Sequence, residues 1–195
     1  MKSAIISLIL IFSISSFAEE DINSYLTFNG FQLEKTTIQD VLKSYGVTEI
    51  HQEGDAGDSY TAICYHYPKQ NVTVYFESGE MGGGETLLSY KFTAGLEHKF
   101  PCGNVNEAGS AGLKLASLKI GMKTESALSS LPKNPHTKEG LTFTYWNKIP
   151  FTQEEIVSNK VKDMQYAFWD EIITIEIHDE KGLVNGFSVS KATSW

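Results

Sequence analysis

Lys35-Thr36-Thr37-Ile38-Gln39-Asp40-Val41-Leu42-Lys43-Ser44-Tyr45-Gly46, followed after a polar loop by Tyr60-Thr61-Ala62-Ile63-Cys64-Tyr65-His66-Tyr67, decides the fold. Ile38, Val41, Leu42 and Tyr45 recur at i, i+3, i+4 and i+7, which places them on one face of a helix. Thr36 with Gln39 three residues on is a capping-box pattern. Gly46 supplies the residue that most easily ends a helix. The second string alternates, with Ile63, Tyr65 and Tyr67 on one face of a strand and Ala62, Cys64 and His66 on the other. Further on, Asn71 to Glu77 sets Val72, Val74 and Phe76 on one face, and Leu87 to Thr93 does the same with Leu88, Tyr90 and Phe92. Pro68-Lys69-Gln70 joins the first pair of strands and Ser78 to Gly84 the second. A capped helix followed by three such strands predicts an α+β unit with the helix laid on an antiparallel sheet.

Working outward, the same order recurs. Thr124 stands where a helix cap is needed, Ala127, Leu128 and Leu131 form its apolar stripe, and Pro132 stops it. Leu141 to Trp146 is the next strand, with Tyr145 in the place of Tyr65. Ile173, Ile175 and Ile177 repeat the face of Val72, Val74 and Phe76, and Gly186 to Val189 closes the series. The expected fold class is therefore α+β, with two similar lobes, each a short helix (or helix pair) packed on a small antiparallel sheet. The expected division is a first αβ repeat over residues 19–94, a linker over 95–117 and a second αβ repeat over 118–195. The second repeat carries an extra segment, Asn147 to Lys162, in which Thr152 and Glu155 form another capping box.

Ahead of the first repeat, Met1-Lys2 and the apolar run Ala4 to Phe17 end in Ser16-Phe17-Ala18. Small residues at those spacings predict a signal peptide over 1–18, cut before Glu19. The run is short for a membrane span, so no integral membrane span is expected after cleavage, and the protein is expected to be periplasmic or secreted. The chain has 16 Lys and Arg against 24 Asp and Glu, and every one of the 16 is lysine. An acidic chain without the forked arginine donor is poorly suited to nucleic acid. In an exported chain the two cysteines, Cys64 and Cys102, are expected to form a disulfide.

The residues that carry chemistry elsewhere are spread thinly here. Cys64 and His66 share a strand face, but a disulfide removes the thiolate that such a pair needs. The five histidines have no zinc-site spacing. The loops 53–58, with Glu53, Asp55 and Asp58, and 77–85, with Glu77, Glu80 and three consecutive glycines, are acidic and glycine-bearing. They define an alternative function, a small metal-dependent or hydrolytic enzyme. No catalytic, metal or cofactor-binding residue is assigned. The aromatic residues say more: Tyr60, Tyr65, Tyr67, Tyr75, Tyr145 and Trp146 lie on strands, and alternation sends some of them away from the helices. Exposed Tyr and Trp are common anchors of protein interfaces. Tyr65, Tyr67, Tyr145 and Trp146, with Met81 on the glycine-rich loop, are thus the candidate partner-binding residues. The function they imply is a non-catalytic module presenting a sheet surface to another envelope or secreted protein.

A signal peptide followed by two helix-plus-sheet repeats resembles the tandem architecture of β-lactamase-inhibitory proteins. Gly121-Met122-Lys123-Thr124 is similar to the helix start of the small outer-membrane-assembly lipoprotein domains. The strings Gly54 to Ser59 and Glu77 to Gly83 look like those of bacterial secreted proteins. The resemblance covers most of the chain after residue 18 and implies a tandem αβ fold and protein binding. No functional residue is carried over from it.

Overall fold

The computed structural model describes residues 21–55, 59–96, 100–105, 113–158 and 168–194. The expected signal segment 1–18 and its cleavage point lie outside the described residues, as do residues 56–58 with Asp58, 97–99, 106–112 and 159–167, and Trp195. Among the described residues, no helix is long and apolar enough to cross a membrane.

The described chain opens on a 3-10 turn, Ile22–Leu26, and a two-residue hairpin, β1 (Thr27–Phe28) and β2 (Phe31–Gln32). Its tip is Asn29-Gly30, both with positive φ, the pair best suited to a tight hairpin. Helix α1 (Ile38–Tyr45) follows, with Ile38 and Val41 buried as the periodicity required. Its cap lies one residue later than the sequence suggested. Thr37 and Asp40 form the capping box: the Asp40 N–H donates to the Thr37 hydroxyl (3.2 Å) and the Thr37 N–H to the Asp40 carboxylate (3.1 Å). Thr36 is engaged elsewhere, its hydroxyl accepting from the Gln32 N–H (2.8 Å). At the far end the Gly46 N–H donates to the Leu42 carbonyl (2.9 Å) with φ at 96°.

The remaining strands are β3 (His51–Glu53), β4 (Tyr60–Tyr67), β5 (Val72–Gly79), β6 (Ser89–Ala94), β7 (Gly103–Asn104), β8 (Thr137–Glu139), β9 (Thr142–Pro150), β10 (Phe168–Glu180) and β11 (Leu183–Ser194). Helix α2 (Thr124–Ser130) precedes β8, and α3 (Gln153–Ser158) lies between β9 and β10. Thr124 is the first helical residue of α2 and not its cap; its hydroxyl donates to the Asp179 carboxylate. Leu131 is extended, as the residue before a proline must be, and ends α2. The capping box of α3 stands, with the Glu155 N–H on the Thr152 hydroxyl (3.2 Å) and the Thr152 N–H on the Glu155 carboxylate (2.7 Å).

One sheet replaces the two small ones expected. Its order is β3-β4-β5-β6-β11-β10-β9-β8, with each neighbouring pair antiparallel, and β7 adds to β4 in parallel. The order reads the same inward from both ends, and the halves meet at β6–β11, from Ser89↔Ser190 to Thr93↔Gly186. Each of these strands would otherwise present an unpaired edge. The Phe92 and Phe187 rings stack across this seam at 4.4 Å.

Further features recur in the two halves. Tyr65 donates its hydroxyl to the Gly46 carbonyl just past α1 (2.5 Å), and Tyr145 donates to the Pro132 carbonyl just past α2 (2.8 Å). The run into each helix is bridged to the last turn of its half. Thr37 bridges Thr86, flanked by Leu87 N–H to Thr36 O and Ile38 N–H to Glu85 O. Lys123 bridges Leu183, flanked by Val184 N–H to Met122 O and Thr124 N–H to Gly182 O.

A single apolar cluster lies on the helix side of the sheet. It holds Val41 and Ala127 from the helices, Ile63, Val74, Phe76, Tyr90 and Phe92 from the first half, and Phe143, Ile173, Ile175, Phe187 and Val189 from the second. At the edge of that layer Lys191 sits between Glu171 (2.5 Å) and Glu34 (3.2 Å). Asn147 donates to Glu171 (3.1 Å) and Thr193 to Glu34 (2.7 Å). Burial lowers the pKa of Lys191, but the hydrogen bond and charge of Glu171, joined by Glu34, outweigh this and leave it raised.

The expected disulfide is present. Cys64 and Cys102 are bonded, with Cα atoms 4.8 Å apart. It lies on the face away from the helices, within a small cluster of Ala62, Cys64, Tyr75 and Phe100. The stretch read as a linker is thus partly structural: Phe100 and Val105 are buried and β7 pairs with Tyr65 and His66.

Candidate functional site

Strand alternation decides which candidate residues are available for binding. Tyr65 and Tyr67 share the parity of Ile63, so they point to the helix side and are each 1% exposed. Tyr145 shares the parity of Phe143 and is 7% exposed. The expectation that Tyr65 or Tyr67 is exposed is corrected, and of Tyr145 and Trp146 it is Trp146 that is exposed. In the first half the β1/β2 hairpin brings Phe28 and Phe31 over the helix side of the sheet, and the rings of Tyr45, Tyr65 and Phe76 pack edge-on beneath it. Burial raises the Tyr145 hydroxyl pKa and, with a lesser contribution from Tyr45, pushes that of Tyr65 up to about 12. Trp146 and Met81 are exposed, at 46% and 62%.

Trp146 projects from the opposite side of β9, onto the open face of the sheet. The pairing registers lay out this face in rows. One runs Trp146, Ile172, Ala192. The next runs Thr144, Thr174, Ser190, Ser89, Glu77, Ala62. A third runs Thr142, Glu176, Ser188, Lys91, Tyr75, Cys64, and its far end is covered by Phe100. Serine and threonine predominate over the seam, and short hydroxyl side chains leave the sheet backbone close to solvent. The polar alternation that marks this face is present in the sequence as Thr142, Thr144 and Ser188, Ser190.

Two hollows open on this face. One, of about 300 Å³, is lined by Tyr60, Glu77, Ser89, Ile172, Ser190 and Ala192, among others. Glu77 accepts hydrogen bonds there from Tyr60 (2.9 Å) and from Ser89. Burial, then the Glu77 charge and hydrogen bond, drive the Tyr60 pKa far up, so this phenol stays neutral and donating. The other, of about 480 Å³, has Lys91, Thr93, His178 and Asn185 in its wall. Asn185 is the extra residue of a β-bulge, because His178 pairs with Gly186 and Asp179 with Val184. The buried Thr93 Oγ1 and Asn185 Oδ1 have no hydrogen-bond partner among the described residues.

The acidic loops come to one end of the sheet, where Glu53 pairs with Tyr60 and Tyr60 with Gly79. Their described carboxylates do not converge. Glu53 lies 2.6 Å from the His51 Nε2, and Glu77 is held by Tyr60 and Ser89. Among the described residues no three His, Cys, Asp or Glu side chains gather as a metal would require. Cys64 is committed to its disulfide, and the His66 Nδ1 lies 3.2 Å from the Thr73 hydroxyl.

Comparison of the chain with protein-family models, with curated proteins and with solved structures gave no match in any of the three.

Proposed function

We propose that this chain is an exported, non-catalytic binding module that presents the open face of its sheet to another envelope or secreted protein. One observation carries the reading. Of the four strand aromatics named as candidate partner-binding residues, only Trp146 stands exposed, and it does so at the head of a hydroxyl-rich face that no helix of the described residues covers. Burying such a ring in a partner offers the kind of anchor that dominates interface energetics. The surrounding Ser and Thr side chains offer hydrogen bonds at little entropic cost.

We infer also that the two halves are copies of one unit. The matching Tyr65–Gly46 and Tyr145–Pro132 bonds, the matching bridges into α1 and α2, and the palindromic sheet order support it. Export rests on the N-terminal apolar run and agrees with a disulfide-bonded pair of cysteines.

The test is a pull-down from an envelope extract with the wild-type chain, Trp146→Ala and Ser190→Lys. The wild type should retain a stoichiometric partner. Each variant should fold with an unchanged circular dichroism spectrum and bind more weakly by about 2 kcal/mol, roughly thirtyfold. Equal recovery by all three removes the open face as the binding surface.

A further inference from the structure

We infer that the outer edge of β9 from Tyr145 onward is a strand-acceptor slot for an extended segment of a partner protein, held parallel to β9. The inference rests on the binding-module reading and names where partner backbone is gripped.

The molecule contains a filled example of such a slot. On the outer edge of β4, Tyr65 pairs with Gly103 and His66 with Asn104 in parallel, and the Val105 N–H donates to the His66 carbonyl (3.0 Å). Gly103 fits because it has no side chain: a Cβ there would lie 2.8 Å from the Tyr65 ring and 3.3 Å from Thr48. The walls of that slot are the Tyr65 ring, fixed by its bond to Gly46, and the chain two residues past Gly46.

The second half repeats the walls, and no strand of the described residues fills them. The Tyr145 ring is fixed by its bond to Pro132, and Asn134 stands two residues past Pro132 as Thr48 does past Gly46. Strand β8 pairs with β9 only as far as Thr144. Beyond it a hollow of about 360 Å³ opens between Pro132, Asn134 and His136 on one side and Tyr145, Trp146 and Asn147 on the other, with Asp21 and Ile22 also in its wall. The Thr144 carbonyl points to this edge, since it accepts from the His136 N–H (2.7 Å). Two residues on, the Trp146 N–H and C=O point the same way, in the station that His66 uses to hold β7. An edge of this kind is a template for strand addition.

The occupant is a partner segment and not a second copy. Pairing of two copies that clears His136 brings their Lys148 side chains together, and like charges across a strand pair are unfavourable. The filled slot specifies a small residue, glycine, over Tyr145 and an apolar residue two positions on. Lys148 beyond it favours an acidic residue further along.

The test uses the full mature chain with its disulfide intact and the octapeptide Phe-Pro-Ser-Gly-Asn-Val-Asn-Glu, the sequence of residues 100–107 with serine for the cysteine. Titration followed by amide NMR should shift residues 132–136 and 144–148 and slow hydrogen exchange at Trp146. The same peptide N-methylated at its valine should bind about tenfold more weakly, the loss of one backbone hydrogen bond. Trp146→Pro, which removes an outward N–H at an edge where proline is tolerated, should bind about tenfold more weakly than Trp146→Ala. If Trp146→Pro does not fold, the N-methylated peptide decides alone. Absence of shifts at millimolar peptide, shifts elsewhere, or equal binding of the N-methylated peptide overturns the slot. A concentration-dependent dimer through this edge also overturns it. Loss of the partner by Trp146→Ala in the pull-down without peptide binding would sink the slot and leave the module. Peptide binding with unchanged pull-down would do the reverse.

Discussion

Thr36 and Thr37 show how finely single residues divide their tasks. Both precede the same helix, and the rule of Thr followed three residues later by a polar partner fits Thr36–Gln39 as well as Thr37–Asp40. The choice falls to Thr37 because Thr36 is drawn back to close the turn after β2. Thr37→Ala is expected to cost about 1 kcal/mol of stability in urea unfolding. Lys191 is the second decisive residue. Its raised pKa means that its contribution is fully present below the unfolded-state pKa of 10.5 and is lost as pH rises through the higher folded value. Lys191→Met leaves Glu171 buried without its cation and is expected to cost about 3 kcal/mol at pH 7. The double variant with Glu171→Leu should recover most of that loss, and failure to recover would show that packing of the lysine stem, and not its charge, is what matters. None of this network was legible in the sequence, because Glu34, Asn147, Glu171 and Lys191 are brought together only by the sheet.

At the scale of elements, α1, β4, β5 and the strands around Ile173–Ile177 and Phe187–Val189 could be read from periodicity alone. The β1/β2 hairpin could have been read from Asn29-Gly30, but its strands are too short to alternate. β7 had no such signal. It follows directly on Cys102, whose bond to Cys64 holds Gly103 beside Tyr65. Replacing both cysteines with serine is expected to cost on the order of 4 kcal/mol for a separation of 38 residues. Hydrogen exchange at the Val105 amide should accelerate before that of β5. Equal protection there with and without the disulfide would show that β7 holds by its own contacts. The same logic explains the candidate site. Alternation gave the correct parity for each tyrosine, but the helix-side layer also takes in the hairpin and Leu113, Leu115 and Leu118, whose packing no periodic pattern reveals.

At the scale of the whole molecule, the recurrence of helix and strands was visible, but not the junction that makes one body of it. Nothing in the strings Ser89 to Thr93 and Gly186 to Ser190 announces that they pair, since each suits any antiparallel neighbour. A shared core with Phe92 stacked on Phe187 predicts one cooperative transition by heat or urea, with coincident fluorescence and far-ultraviolet signals. Phe187→Ala should lower stability by about 3 to 5 kcal/mol and keep that single transition. Two transitions, with only the second moved, would mean that the halves stand independently. The seam also bears on how the molecule behaves on dilution. An antiparallel edge pairing such as β6–β11 is what commonly joins separate subunits, and such pairs come apart as their concentration falls. Here a connector on one chain holds the two edges at an effective concentration in the millimolar range. The full-width face is therefore present in a single molecule at any abundance, however few copies are made.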